Sequence, residues 1–265
     1  MSIGHRNNIC VIGRGPKTLL LAHGFGCDQN MWRFIVPALE NDYRIILFDH
    51  VGAGKSDISQ YSPAKYQSLH GYADDIIEII DATGSGPVVF VGHSVSAIIG
   101  VLAAIRAPAK FEDLILIGPS PCYINDGEYV GGFSRSDIDG LLDMLDKNYL
   151  GWSTSMAPAI MGNPERPELA GELTESFCRT DPQIAKQFAR VTFLSDNRAD
   201  LNLVATPSLI LQCSEDVIAP DRVGDFVHRH LPGSQLVTLR ATGHCPHMSA
   251  PGEVVAVIKE YLERT

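Results

Sequence analysis

The stretch VVFVGHSVSAIIGVLAAI, residues 88–105, decides the fold. Val88 to Gly92 is a short apolar run that reads as a buried strand. Ser96 to Ile105 reads as a buried helix, with too much polar sequence upstream to span a membrane. Ser94 stands at the junction, the strand-turn-helix context in which a serine is presented as a nucleophile. Strand and helix crowd such a turn, so the positions two residues to either side must be small. Gly92 and Ser96 fill them. The general signature has glycine at the second position, and Ser96 departs from it.

A serine nucleophile needs a base, and the base needs an orienting acid. On this kind of turn they follow in the order serine, acid, histidine. PSLILQCSEDVIAP supplies another buried strand, Leu209 to Cys213, with Glu215, Asp216 and Asp221 as candidate acids past its carboxyl end. QLVTL, from Gln235, supplies a last strand, and ATGHCPHMS places His244 on the loop behind it. LLLAHGFG, from Leu19, is a strand running into a Gly-rich loop. The N–H of Phe25 there, with that of Val95 after the serine, is suited to hold a developing oxyanion. A Gly-rich loop alone is an ordinary turn. The order of the four pieces gives the pattern its meaning.

Strand-like runs at 9–12, 18–22, 43–48, 88–91, 114–117, 209–213 and 235–239 alternate with helix-like runs such as 72–83, 221–231 and 253–263. This predicts an α/β fold, a mostly parallel sheet with helices on both faces. Ligand sites in such sheets lie beyond the carboxyl ends of the strands. From about Tyr123 to Asp196 the strand pattern stops. Helix-like segments at 136–148, 152–161, 168–178 and 182–195 follow, separated by Gly151, by NPERP and by TDP. The predicted organisation is a core of residues 1–122 and 197–265 with a four-helix lid, 123–196, inserted in it. Phe133, Trp152, Met156, Phe188 and Phe193 are large apolar residues of the lid. They are expected to line a pocket for a small hydrophobic substrate, against the plainer reading that they form the lid's own core.

The chain has 265 residues, a net charge of −10 and no basic run, which argues against nucleic acid and anionic membranes. MSIGHRNN lacks an apolar signal core, so export is not expected. Six scattered cysteines read as reduced thiols in a cytoplasmic protein. GAGKS in the loop from Asp49 lacks the spacing of a phosphate loop. His244-Cys245-Pro246-His247 is too compact for a metal site without a second ligand cluster. No cofactor and no metal are expected.

GHSVSAIIG, GPSPCYIND, NYLGW, FCRTDP, QFARVTFLSD, LILQCSEDVIAP and GHCPHMS together resemble the RsbQ-like α/β hydrolases and their plant relatives, the strigolactone and karrikin receptors. The resemblance covers nearly the whole chain. It implies an α/β-hydrolase fold with a V-shaped four-helix lid, Ser94 as nucleophile, Asp216 as acid, His244 as base, and oxyanion donors at Phe25 and Val95. It implies a pocket at Tyr123, Phe133, Leu141, Trp152, Phe193 and Ile218, beside Phe25, and it makes serine at position 96 ordinary. Met156 is a departure, because these relatives carry phenylalanine there and methionine is longer and softer.

Two functions remain. One is a serine esterase or lactonase acting on a small hydrophobic ester, lactone or butenolide-like ligand. The other is a ligand-sensing regulator with little turnover, for which the resemblance implies a PAS-domain phosphatase as partner. A C–C bond hydrolase of the same fold also uses serine. A haloalkane dehalogenase would need aspartate in place of Ser94.

Overall fold

The structure is a computed structural model and describes residues 2–264. Strands β1 (Cys10–Ile12), β2 (Lys17–Ala22), β3 (Tyr43–Leu47), β4 (Val88–His93), β5 (Phe111–Ile117), β6 (Ser208–Glu215) and β7 (Ser234–Thr242) form one sheet in the order β1-β3-β2-β4-β5-β6-β7. Only β1 runs antiparallel to its neighbour. The helices are α1 (Ile3–Arg6), α2 (Val36–Leu39), α3 (Leu69–Ala82), α4 (Val95–Arg106), α5 (Arg135–Lys147), α6 (Tyr149–Met161), α7 (Pro167–Arg179), α8 (Pro182–Phe193), α9 (Asp221–His230), α10 (Pro246–Ser249) and α11 (Pro251–Leu262).

Alternation along the central strands divides the core in two. Leu19, Leu21, Val89, Val91, Ile115 and Ile117 face one side, with Val254, Ile258 and Tyr261 of α11. Leu20, Ala22, Val88, Phe90, Leu114 and Leu116 face the other, with α3, α4 and Val227 of α9. Both faces are covered, so β4 is buried along its whole length and carries no polar alternation until Gly92 and His93.

Register fixes where the loops emerge. Ala22 pairs with Gly92 and His93 with Ile117, so β2, β4 and β5 end side by side. The loops after them are therefore neighbours.

Helices α5 to α8 lie between β5 and β6. Gly151, expected to separate two of them, lies inside α6. The break falls at Asn148, which closes α5 with its N–H on Met144 and opens α6 by accepting the Gly151 N–H at 3.0 Å. Asn is a strong helix N-cap, preferred over glycine for starting the next helix. Thr180 and Asp181 divide α7 from α8 in the same way, with Pro182 at the first helical position.

Gly100 in α4 lies on Phe90, and a Cβ there would meet the ring at 2.2 Å. Gly100→Ala should therefore destabilise the protein by up to about 2 kcal/mol. Overpacking of about 1–3 kcal/mol outweighs the roughly 1 kcal/mol that alanine gains in a helix. Urea denaturation checks this. A stabilised variant would show that the helix can move off the strand.

Candidate active site

Ser94 sits between β4 and α4 with φ +57° and ψ −125°, a left-handed backbone that a serine adopts only under constraint. The turn is tight because a Cβ on Gly92 would fall 2.6 Å from the Ser96 carbonyl and 2.8 Å from the Ala97 nitrogen. Ser94 Oγ lies 2.7 Å from His244 Nε2, and His244 Nδ1 lies 2.6 Å from Asp216 Oδ2. Asp216 Oδ1 accepts N–H bonds from Ile218 at 2.8 Å and Ala219 at 3.1 Å. All three side chains are buried. Glu215 and Asp221 are exposed, and the irregularity between Cys213 and Glu215 ends the strand just before Asp216 turns inward.

Burial alone would raise the Asp216 carboxyl. The His244 ring and the N–H groups of Ala219 and Ile218 outweigh it and hold the group below its ordinary range. Asp216 is thus a carboxylate at neutral pH, and its charge favours a proton on His244 Nδ1. Nε2 is then left to accept from Ser94. The loop after β2 presses on the serine, since a Cβ on Gly24 would meet Ser94 Cβ at 3.2 Å. Val95 is the first residue of α4, next to Ser94, and Phe25 of this loop shares a cavity wall with Ser94.

Over Ser94 lies a cavity of about 30 Å³ walled by Phe25, Tyr123, Trp152, Met156, Phe193 and Ile218, and also by Cys27, Ile160, Leu173, Phe177, Thr192 and Cys245. The aromatic walls interlock. Trp152 lies 5.9 Å from Phe25 and 5.3 Å from Phe177, and Phe193 lies 5.1 Å from Tyr123, between ring centres. Residues of α6, α7 and α8 thus wall a cavity over a serine with a histidine and a carboxylate in series, an arrangement able to attack an acyl carbonyl.

A profile described as the alpha/beta hydrolase family matches residues 19–257. The chain belongs to the alpha/beta hydrolase family. Strigolactone esterase D14 of Arabidopsis thaliana is 38% identical over 258 residues, 97% of this chain and 96% of that protein. Karrikin insensitive 2 receptor CA of Petunia hybrida is 36% identical over 257 residues, 97% and 95% of the two chains. The solved structure of a hydrolase from Oleispira antarctica superposes with a TM-score of 0.97 at 45% identity, covering 99% and 97%.

Against this alpha/beta hydrolase frame, three expected pocket residues lie elsewhere. Phe188 stacks on Tyr72, with ring centres 4.5 Å apart, and backs Phe25 at 5.6 Å without reaching the cavity over Ser94. It is five residues from Phe193, which on a helix turns it about 140° away. Leu141 is buried in the large apolar cluster but does not reach the cavity wall. Phe133 is held by its backbone instead, donating to the Tyr123 carbonyl and accepting from Asn125 N–H, and its ring packs at the edge of the core.

Leu173 and Phe177, not among the expected pocket residues, also wall the cavity, and their sequence signal is the i, i+4, i+8 stripe of buried Leu169, Leu173 and Phe177 in α7. Phe177 matters because it rests on the loop after β2. A Cβ on Gly26, at φ +69°, would lie 1.9 Å from its ring, so this glycine serves both the turn and the contact. Ser176 Oγ donates to the Gly26 carbonyl at 2.8 Å and ties α7 to the same loop. Among the described residues no group of three or more His, Cys, Asp or Glu is placed to hold a metal ion. None of the described helices is long and apolar enough to cross a membrane.

Four more histidines surround the site, and burial lowers all of them. His93 is pushed down to about 3 by burial and then by His244, while His23, His50 and His247 also fall below their ordinary value. His247 packs between Trp32 and His93, at 4.6 and 4.5 Å between rings. In the unfolded chain each takes a proton near pH 6.5. The unfolded state therefore binds more protons between that pH and the depressed native values, so stability is full above about 6.5 and falls as pH drops below it. Asp216 adds a loss only below about pH 4, on the way to its own depressed value. The urea midpoint should thus decline from about pH 6.5 downward, and less steeply in His247→Leu. A midpoint flat down to about pH 4 would show that the histidines are not held neutral.

Proposed function

We propose that this protein is a serine esterase or lactonase acting on a small, apolar ester or lactone. The observation that carries the reading is the unbroken chain Ser94 Oγ, His244, Asp216, at 2.7 and 2.6 Å, beneath an apolar cavity. His244 Nε2 takes the hydroxyl proton as Ser94 Oγ attacks the acyl carbon. The negative oxygen that forms is held by the N–H groups of Phe25 and Val95. His244 passes the proton to the leaving oxygen, and an acyl group stays on Ser94. Water, deprotonated by His244, then releases the acid and restores the serine.

The cavity of about 30 Å³ holds little more than a water or two, far below the roughly 300–1,000 Å³ of ordinary ligand pockets. Substrate therefore enters with displacement of the aromatic roof, and the inserted helices act as a lid. All six cysteines are free, in keeping with a reducing compartment such as the cytoplasm.

A second reading has an observation of its own. A relative that matches 97% of this chain is named a receptor. In that reading hydrolysis is slow and the lid's position reports the ligand to a protein partner. The PAS-domain phosphatase implied by the RsbQ-like resemblance belongs to this second reading.

Short-chain aryl esters should be cleaved, with an acyl adduct on Ser94 visible by intact mass. Ser94→Ala should lower kcat by about 10⁴–10⁶. Asp216→Asn should cost on the order of 10⁴, whereas Glu215→Gln and Asp221→Asn should leave turnover near wild type. Activity that survives the Ser94 change would refute the mechanism.

Met156→Phe should alter the ratio of kcat/KM between bulky and compact esters, with a stability change below about 1.5 kcal/mol. Unchanged ratios with a shifted melting midpoint would place Met156 in packing alone.

A further inference from the structure

Ser96 is the position where this chain departs from the glycine of the general signature, and the structure gives its hydroxyl two partners. The side chain is fully buried in the first turn of α4. Its Oγ donates to the His23 carbonyl at 2.5 Å and lies 2.8 Å from His50 Nε2. The hydroxyl proton is committed to the carbonyl, so His50 Nε2–H donates to Ser96 Oγ. The His50 backbone N–H in turn donates to His23 Nε2 at 3.0 Å. Because His23 Nε2 accepts, its ring proton is on Nδ1, which donates to the Gly24 carbonyl at 2.9 Å. The Cys27 N–H reaches the same carbonyl at 3.3 Å.

The consequence follows from peptide geometry. The Gly24 C=O and the Phe25 N–H belong to one planar trans peptide and point in opposite directions. Holding the carbonyl therefore aims the N–H. Ser96 is covalently fixed to Val95, which carries the other donor, so its hydroxyl ties the two halves of the anion-binding pair together across two elements.

We propose that Ser96 is a positioning residue that sets the Phe25 N–H against the Val95 N–H, acting through the His23 carbonyl and the His23–His50 pair. This rests on the serine-hydrolase reading above. Ser96 does not line the cavity and exchanges no proton with substrate. Its effect should fall on the tetrahedral state, in which the oxygen is charged, and spare the bound ester.

Ser96→Ala and Ser96→Gly test this, with an aryl ester and with phenylboronic acid. The boronic acid adds Ser94 Oγ to boron, the serine proton passes to His244, and the anionic tetrahedral adduct occupies the same donors. Losing an oxyanion donor outright costs about 10²–10³ in kcat, so misaiming one should cost about 10–100-fold. KM should stay within about twofold, and phenylboronic acid affinity should fall by a factor similar to that in kcat. Wild-type kcat and boronate affinity in the variants, or a raised KM at unchanged kcat, would overturn the proposal.

Should both variants melt below the assay temperature, Ser96→Cys decides, since it keeps a side chain there but donates weakly. A several-fold lower kcat at unchanged KM supports the proposal, and wild-type kcat overturns it. A wild-type protein that neither cleaves the ester nor binds phenylboronic acid overturns the hydrolase reading and this inference together. Active wild type with indifferent variants overturns the inference alone.

Discussion

Everything at the site depends on the parallel register of β2, β4 and β5. Ala22 stands opposite Gly92, and His93 opposite Ile117. The strands therefore end level, and the loops that leave them have nowhere to go but alongside one another. That places Gly24 against Ser94 and Gly118 against the His244 ring, where a Cβ would come within 3.2 Å in each case. Close approach of this kind needs glycine on one side of each contact, and it leaves the serine backbone in a conformation the surrounding turn must enforce.

A second constraint is the removal of water. Ser94, His244 and Asp216 form their chain in a buried setting, where each hydrogen bond is stronger and each unpaired charge is costly. The only one of the three that is an anion, Asp216, is matched by two backbone N–H groups and one imidazole. The other buried histidines carry no charge. His93 bonds through Nε2 to the His244 carbonyl at 2.7 Å, so the residue before the serine also holds the loop that supplies the base. His23 Nε2 accepts the His50 backbone N–H, a role open only to a neutral ring.

The inserted helices complete the enclosure. Trp152 and Met156 come from α6, Leu173 and Phe177 from α7, and Phe193 from the end of α8, so each of these helices contributes to one small cavity. Phe177 also rests on Gly26, and Ser176 bonds to its carbonyl. The roof and the loop that carries Phe25 are therefore mechanically joined.

Much of this was legible in the order of residues along the chain. Local chemistry determined the buried runs of the central strands, the small residues around Ser94, the inserted helices, and the order of Ser94, Asp216 and His244, because strand burial and turn crowding restrict residue types directly. NPERP and TDP mark two of the breaks between the inserted helices, and Asn148 rather than Gly151 marks the third. What local pattern could not supply was direction. Three acids lie within the seven residues that begin with the last residue of β6, and the irregularity that closes the strand comes just before Asp216, which is buried while Glu215 and Asp221 are exposed. Phe188 and Phe193 look alike as sequence, yet the helix turns one to the cavity and the other onto Tyr72. The partners of Ser96 lie 46 and 73 residues away and come together only through the sheet. Sequence determined which groups this protein possesses. Register and helix rotation, set by contacts distant along the chain, decided which of them meet.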